Sequence, residues 1–195
     1  MIQYPNGVKK PGQTKLKQNL KKLSINSYKN RGMDFEKEIN LSNQFYLETK
    51  RAVITKRPTP INVVKVDYQR GAKITHAYFE KQSTTDYNGI YRGKYLDFEA
   101  KSTQSTTSLA IANITIHQRL HLQRIIDQGG IAFLLISFTK KDEVYALKGI
   151  DFLQFLEKET RQSLPYRWIK NKGKRIQIAF QPRIDYLTAI DDWFF

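Results

Sequence analysis

The sequence predicts a single mixed α/β domain with a central sheet flanked by helices, and three observations predict it. Along the chain the patterns run helix, strands, hairpin, helix, strand, strand, helix, an order that builds a mixed sheet with helices packed against it. Ile131–Phe138 is a continuous apolar run, the mark of a strand buried on both faces. From Tyr95 the chain alternates instead: Leu96, Phe98 and Ala100 point one way, Tyr95, Asp97, Glu99 and Lys101 the other, as in a strand with one polar face.

The elements follow in order. Residues 1–32 carry seven Lys, Arg31 and no acid, with Pro5, Asn6-Gly7 and Pro11-Gly12 breaking any helix; they read as a flexible basic arm that orders on DNA, or as a solubilising tail. The remaining 33–195 form the domain. A helix is expected from Asp34 to about Glu48, its early acids suiting a helix N-terminus. Ala52–Thr55 and Ile61–Val66 read as strands separated by the stiff Arg57-Pro58-Thr59-Pro60. Ile114–Asp127 reads as a helix with Leu122, Ile125 and Ile126 inward, ended by Gly129-Gly130. Glu143–Lys148 is the expected antiparallel neighbour of the apolar strand, and Asp151–Arg161 and Pro182–Trp193 look helical.

With 195 residues the chain can bury one full core but not two large ones. Thirty-three Lys and Arg against eighteen Asp and Glu leave a charge of +15, which calls for a polyanionic partner, nucleic acid being the usual one. No apolar run approaches the ~18 residues of a membrane span. The absence of cysteine removes disulfides and Cys-ligated zinc. The N-terminus is basic without the apolar core of a signal peptide, so a cytoplasmic protein is expected. Between Lys50 and Phe79 seven bases accompany one acid, Asp67, with Tyr68 and Tyr78 among them. Such a strand pair can project and touch DNA, or be an exposed edge protected by Lys.

The chemistry concentrates in Ser83–Lys101. Folding it as a hairpin with Arg92-Gly93 as the two-residue turn sets Asp86 directly across from Glu99, where Cβ atoms lie about 4.5–5.5 Å apart. Two carboxylates that close repel unless a cation lies between them, and hard oxygen ligands suit Mg²⁺. A bulge at Asn88-Gly89 would slip this register. Asp, then Glu-x-Lys, is what a metal-dependent phosphodiesterase needs: carboxylates for the ion and a Lys where negative charge develops. A solvated polar strand face carries the same residues.

Arg31-Gly-Met-Asp-Phe-Glu36, Lys56-Arg-Pro-Thr-Pro60, Ser83-Thr-Thr-Asp-Tyr-Asn-Gly89, Tyr95-Leu-Asp-Phe-Glu-Ala-Lys101 and Pro182-Arg-Ile-Asp-Tyr186 together resemble the RecU Holliday junction resolvases of Gram-positive bacteria. The likeness runs from Tyr4-Pro-Asn-Gly7 nearly to the C-terminus. It implies the restriction-endonuclease-like, PD-(D/E)xK fold, a homodimer, and a protruding basic β stalk from about residues 52–80. It places metal ligands for Mg²⁺ (or Mn²⁺ in its stead) on Thr84, Asp86, Glu99 and Gln118, and the transition-state lysine on Lys101. The family's His-x-His-Gln reads Thr115-Ile-His-Gln118 here. Implied partners are four-way DNA junctions, a RecA-type recombinase and a branch-migration helicase, with strand annealing as a companion activity. In the arm and stalk, Arg31, Lys56, Arg57, Lys65, Tyr68, Arg70 and Lys73 are the expected DNA contacts.

Other residues have competing readings. Gln118 meets the metal directly or through water, or is a helix-start polar residue. Thr84 reaches it only by hydroxyl, carbonyl or water. Glu36 is a base, an outer acid or a helix N-terminal charge. His117 and His121 lie four apart, but Gln-Arg-Leu between them lacks a zincin's Glu. Asp97 is expected to pair with a base such as Lys94, and Arg183 and Asp185 to serve helix packing or a local ion pair. Trp168, Trp193, Phe194 and Phe195 read as core or dimer interface. The rival functions are a restriction-like or repair nuclease on the same motif, and a non-catalytic DNA-binding or annealing factor.

Overall fold

The computed structural model of the protein describes residues 31–80 and 84–195. The chain opens with α1 (Arg31–Glu48), β1 (Ala52–Lys56), β2 (Ile61–Asp67), β3 (Lys73–Phe79), β4 (Tyr87–Tyr91) and β5 (Lys94–Thr103). After β6 (Ser108–Ala110) and a 3₁₀ turn come α2 (Ile116–Asp127), β7 (Ile131–Phe138), β8 (Glu143–Lys148) and α3 (Gly149–Lys158). The chain closes with β9 (Ser163–Pro165), α4 (Tyr166–Lys172), β10 (Lys174–Ile176) and α5 (Leu187–Phe194).

β7 is the spine. All its residues are buried, and they divide by alternation. Ile131, Phe133 and Leu135 enter one core with α1, α5 and Leu96, Phe98 and Ala100 of β5. Ala132, Leu134, Ile136 and Phe138 enter the other, with residues of α2, α3 and α4. Helices therefore cover both faces of the sheet, which is why the run needs no polar side. The sheet order is β1–β4–β5–β7–β8–β10; β5 and β7 are parallel and the other neighbours antiparallel. This is the expected mixed sheet flanked by helices. β2 and β3 form a separate two-stranded ribbon, and β6 pairs with β9.

The hairpin register holds. Tyr91 pairs with Lys94 and Tyr87 with Phe98 without a bulge at Asn88-Gly89. Arg92 and Gly93 both take positive φ (48° and 75°), as a tight primed turn requires. Gly89 has a different reason to be glycine: an added Cβ would lie 2.1 Å from the Val53 carbonyl oxygen of β1.

Four expectations need correction. The stalk does not start at residue 52: β1 is the sheet's edge strand, paired with β4, and the separate ribbon begins at Ile61. The last helix starts at Leu187, not Pro182, because α1 side chains hold the segment before it. Ser42 Oγ accepts the Ile184 N–H (2.8 Å) and Tyr46 donates to the Ile184 carbonyl (3.1 Å). The third helix covers 149–158 rather than 151–161, and the second starts at Ile116, where Thr115 caps it. β3, which is the ribbon partner of β2 in place of β1, and β6, β9, α4 and β10 were not anticipated; β6, β9 and β10 are strands of only three residues, too short to show a period. The arm expected over 1–32 lies outside the described residues except Arg31 and Gly32, which already belong to α1.

Candidate functional site

The polar side of β5 faces the layer of α2, and both its carboxylates are fully buried: Asp97 and Glu99 each have 0% exposure. Asp86 stands one residue before β4, where the ladder is continued by side chains. Its N–H donates to Glu99 Oε2 (3.1 Å), and its own Oδ2 accepts the Ala100 N–H (3.2 Å). Glu99 Oε1 is ion-paired with Lys101 Nζ and accepts from Gln118 Nε2 (2.6 Å). Gln118 is held at its other end by the cap of α2, where its Oε1 accepts the Thr115 N–H (2.8 Å).

Asp86 from the segment entering β4, Glu99 and Lys101 from β5 and Gln118 from α2 thus meet at one point. Thr84 lies half-buried two residues before Asp86 on the segment that enters β4. Burial, and then the neighbouring Asp86 charge, push the Glu99 carboxyl up to about 8 against the opposing pull of Lys101. A buried carboxylate pressed against another is an arrangement a cation relieves. Among the described residues no three His, Cys, Asp or Glu gather into one group. Two facing carboxylates suit Mg²⁺, whereas a structural zinc site demands four N or S ligands; Gln118 turns its amide nitrogen to Glu99 and keeps its oxygen in the α2 cap. The donor set fits a hard divalent ion.

A second cluster adjoins the first. Asp97 Oδ2 is paired with Arg57 Nη2 (2.6 Å) and His121 Nε2 (3.1 Å) and accepts from Tyr95 Oη (3.2 Å), and its Oδ1 accepts from the Thr85 hydroxyl. Arg57, not Lys94, is therefore the partner of Asp97: it is carried beside the Asp97 face by the end of β1, while Lys94 sits back at the turn. Arg57, expected to contact DNA, turns its guanidinium inward to Asp97, Thr85 and Tyr95. Reading the sequence missed Thr85, which is buried where Thr84 is not. It also missed that His121, three residues after Gln118, uses the same helix face; the i, i+3 polar pair beside the apolar Leu122 was the available signal. His117 is exposed.

Of the other expected DNA contacts, Lys56 is exposed and paired with Glu36, and Lys65, Tyr68, Arg70 and Lys73 are all exposed on or beside the ribbon; the Arg31 side chain lies outside the described residues. The remaining local readings divide. Arg183 pairs with Glu38 (3.1 Å) and Asp185 with Arg51 (3.5 Å). Trp168 and Trp193 pack against the two cores, while Phe194 and Phe195 are exposed.

The sequence profile of RecU, described as Recombination protein U, matches residues 30–192. The chain belongs to the RecU family. Among its relatives, the Holliday junction resolvase RecU of Oceanobacillus iheyensis is 47% identical over the whole of both chains. That of a Geobacillus strain is 42% identical over all of this chain and 98% of its own, and that of Lactococcus lactis is 43% identical over 98% and 97%. Among solved structures, the Holliday junction resolvase Hjc of Archaeoglobus fulgidus aligns with a TM-score of 0.42 at 12% identity, covering 72% of this chain and 93% of its own.

In this RecU-family site Lys101 is the cation nearest the paired carboxylates. Lys101→Ala is expected to lower the single-turnover cleavage rate by about 10²-fold while changing junction affinity little, because its charge matters most where negative charge develops. Equal losses of affinity and rate at saturation would make Lys101 an ordinary phosphate contact.

Proposed function

We propose that the chain is a crossover junction endodeoxyribonuclease that resolves four-way DNA junctions in recombination and repair, with a divalent metal, Mg²⁺ first and Mn²⁺ in its stead. One observation carries the chemistry: the half-buried Asp86 facing the fully buried Glu99, flanked by Lys101, on a strongly basic chain. Asp86 and Glu99 would hold the ion, with Thr84 completing its shell directly or through water, and Gln118 through water or, with its amide turned, directly. When bound, such an ion polarises the phosphate and acidifies water. The chain's own groups do the rest. The Ala100 N–H aims Asp86, Gln118 and Lys101 orient Glu99, and Lys101 offsets charge building on phosphorus.

The ribbon supports a branched substrate. All of β3 is exposed, and β2 but for the half-buried Val66. It carries Lys65 across from His76, with Tyr78 on the same side, and leaves Tyr68 and Phe79 75% and 77% exposed. A two-stranded ribbon standing clear of the core gains little from packing, so a partner must cover it. A base-and-aromatic surface suits nucleic acid whose bases are accessible, as at a branch point. A restriction-like enzyme would instead need base-edge contacts in a groove, and an annealing factor alone would have no use for the Asp86–Glu99–Lys101 arrangement. A homodimer is mechanistically apt, since two symmetric sites can nick opposing strands. Contact with a RecA-type recombinase and a branch-migration helicase, strand annealing and a cytoplasmic location belong to the same reading. Among the described residues no helix is long and apolar enough to cross a membrane.

Purified protein with Mg²⁺ on a synthetic four-way junction, beside linear duplex of the same sequence, tests the activity: paired nicks in the junction alone are expected, and uncut junctions would refute it. The ribbon is tested by removing residues 61–79. Its root is already closed by a bond from Glu80 N–H to the Pro60 carbonyl (2.9 Å), so a short turn can bridge the gap. The ratio of junction to duplex affinity is expected to fall by about tenfold or more at fixed salt, with duplex binding by other basic groups persisting. An unchanged ratio would show that junction recognition lies elsewhere.

A further inference from the structure

We propose that Arg57, anchored on Asp97, is a positioning residue that locks the root of the ribbon to the cutting site and thereby sets which phosphodiester is nicked. This rests on the reading of the ribbon as the element that holds the branch point. Arg57 is the last residue before Pro58-Thr59-Pro60, and β2 follows at once. Two prolines in three residues give that connection little freedom, so a displacement of the ribbon's root is felt at Arg57.

At its other end Arg57 grips the segment bearing Asp86. Its backbone N–H donates to the Asp86 carbonyl (2.8 Å). Its Nη1 donates to the Thr85 carbonyl (3.2 Å) and hydroxyl (2.6 Å), and its Nη2 to Tyr95 Oη (3.0 Å) and Asp97 Oδ2 (2.6 Å). One guanidinium therefore holds the peptide of Thr85 and, through the fully buried Asp97, the strand that carries Glu99. The His121–Asp97 bond ties in α2, which supplies Gln118.

A buried ion pair is a weak source of net stability. What a planar, multiply bonded guanidinium supplies is fixed geometry. Here that geometry links two carboxylates to the base of a DNA-contacting ribbon. Loosening it leaves the carboxylates present but variable in distance from the branch, and misplacement by about 1 Å can cost about 10²-fold in rate.

The test uses end-labelled four-way junctions under single-turnover conditions, with full-length Arg57→Gln, Arg57→Lys and Asp97→Asn beside wild type. Rate, nick positions, metal-free junction affinity and melting temperature are read for each. Arg57→Gln is expected to lose about 10²-fold in rate and to spread its nicks onto neighbouring phosphodiesters, with affinity within about threefold of wild type because the residue faces inward. Arg57→Lys keeps the charge but not the fork and should fall between, and Asp97→Asn should resemble Arg57→Gln. Wild-type nick positions in a folded variant would overturn the proposal: a lowered melting temperature alone would make the cluster merely structural, and an affinity loss alone would make Arg57 a phosphate contact. Should Arg57→Gln fail to fold, Arg57→Lys decides by the same nick pattern. The deletion of 61–79, run in parallel, separates the two layers, since retained junction preference there refutes the ribbon reading whatever Arg57 does.

Discussion

Glu99→Gln, and likewise Asp86→Asn, is expected to cut four-way junctions at least about 10³-fold more slowly than wild type, since losing the ion removes several kcal/mol of transition-state stabilisation. Metal-free junction binding should stay close to wild type, because Glu99 is fully buried and each substitution changes at most one charge among many phosphate contacts. A readout independent of cleavage accompanies this. Wild type should melt higher when Mg²⁺ is added, as any ligand of the folded state alone stabilises it, and the variants should not respond. A variant that keeps the Mg²⁺ response and the cutting rate would remove Glu99 from the site.

The largest expected effect on stability comes from Gly89→Ala. The new methyl would sit 2.1 Å from the Val53 carbonyl oxygen and 2.6 Å from the Ile54 Cα. Both are backbone atoms, which cannot swing aside as a side chain can. β1 must therefore move off β4, breaking the pairings of Ile54 with Gly89 and Val53 with Ile90. Overpacking of this kind costs about 3 kcal/mol, roughly 6–12 °C in melting temperature for a domain of this size. A melting temperature within about 2 °C of wild type would mean that the edge strand yields freely. The damage should reach function as well, since β1 leads directly to Arg57.

Some of this molecule was set by local sequence and some was not. The run Ile131–Phe138 determined a doubly covered strand by itself, because Ser137 is its one polar residue and cannot make an open face. The alternation Tyr95–Lys101 and the turn at Arg92-Gly93 determined the hairpin, and with it the meeting of Asp86 and Glu99: strand period and turn length fix a register without help from the rest of the chain. Basic composition pointed to a polyanionic partner for the same kind of reason, as charge is a sum over residues. Tertiary structure decided what depends on neighbours distant in sequence. The turning of Arg57 to Asp97, the choice of Thr85 over Thr84 for burial and the recruitment of His121 all arise where β1, β5 and α2 come together. The extended course of Pro182–Tyr186 was likewise imposed by Ser42 and Tyr46 of α1, which take the hydrogen bonds a local helix would have used. Periodicity shows which residues share a face, but the partner across that face is chosen by packing, and for a buried charge the partner determines what the residue does.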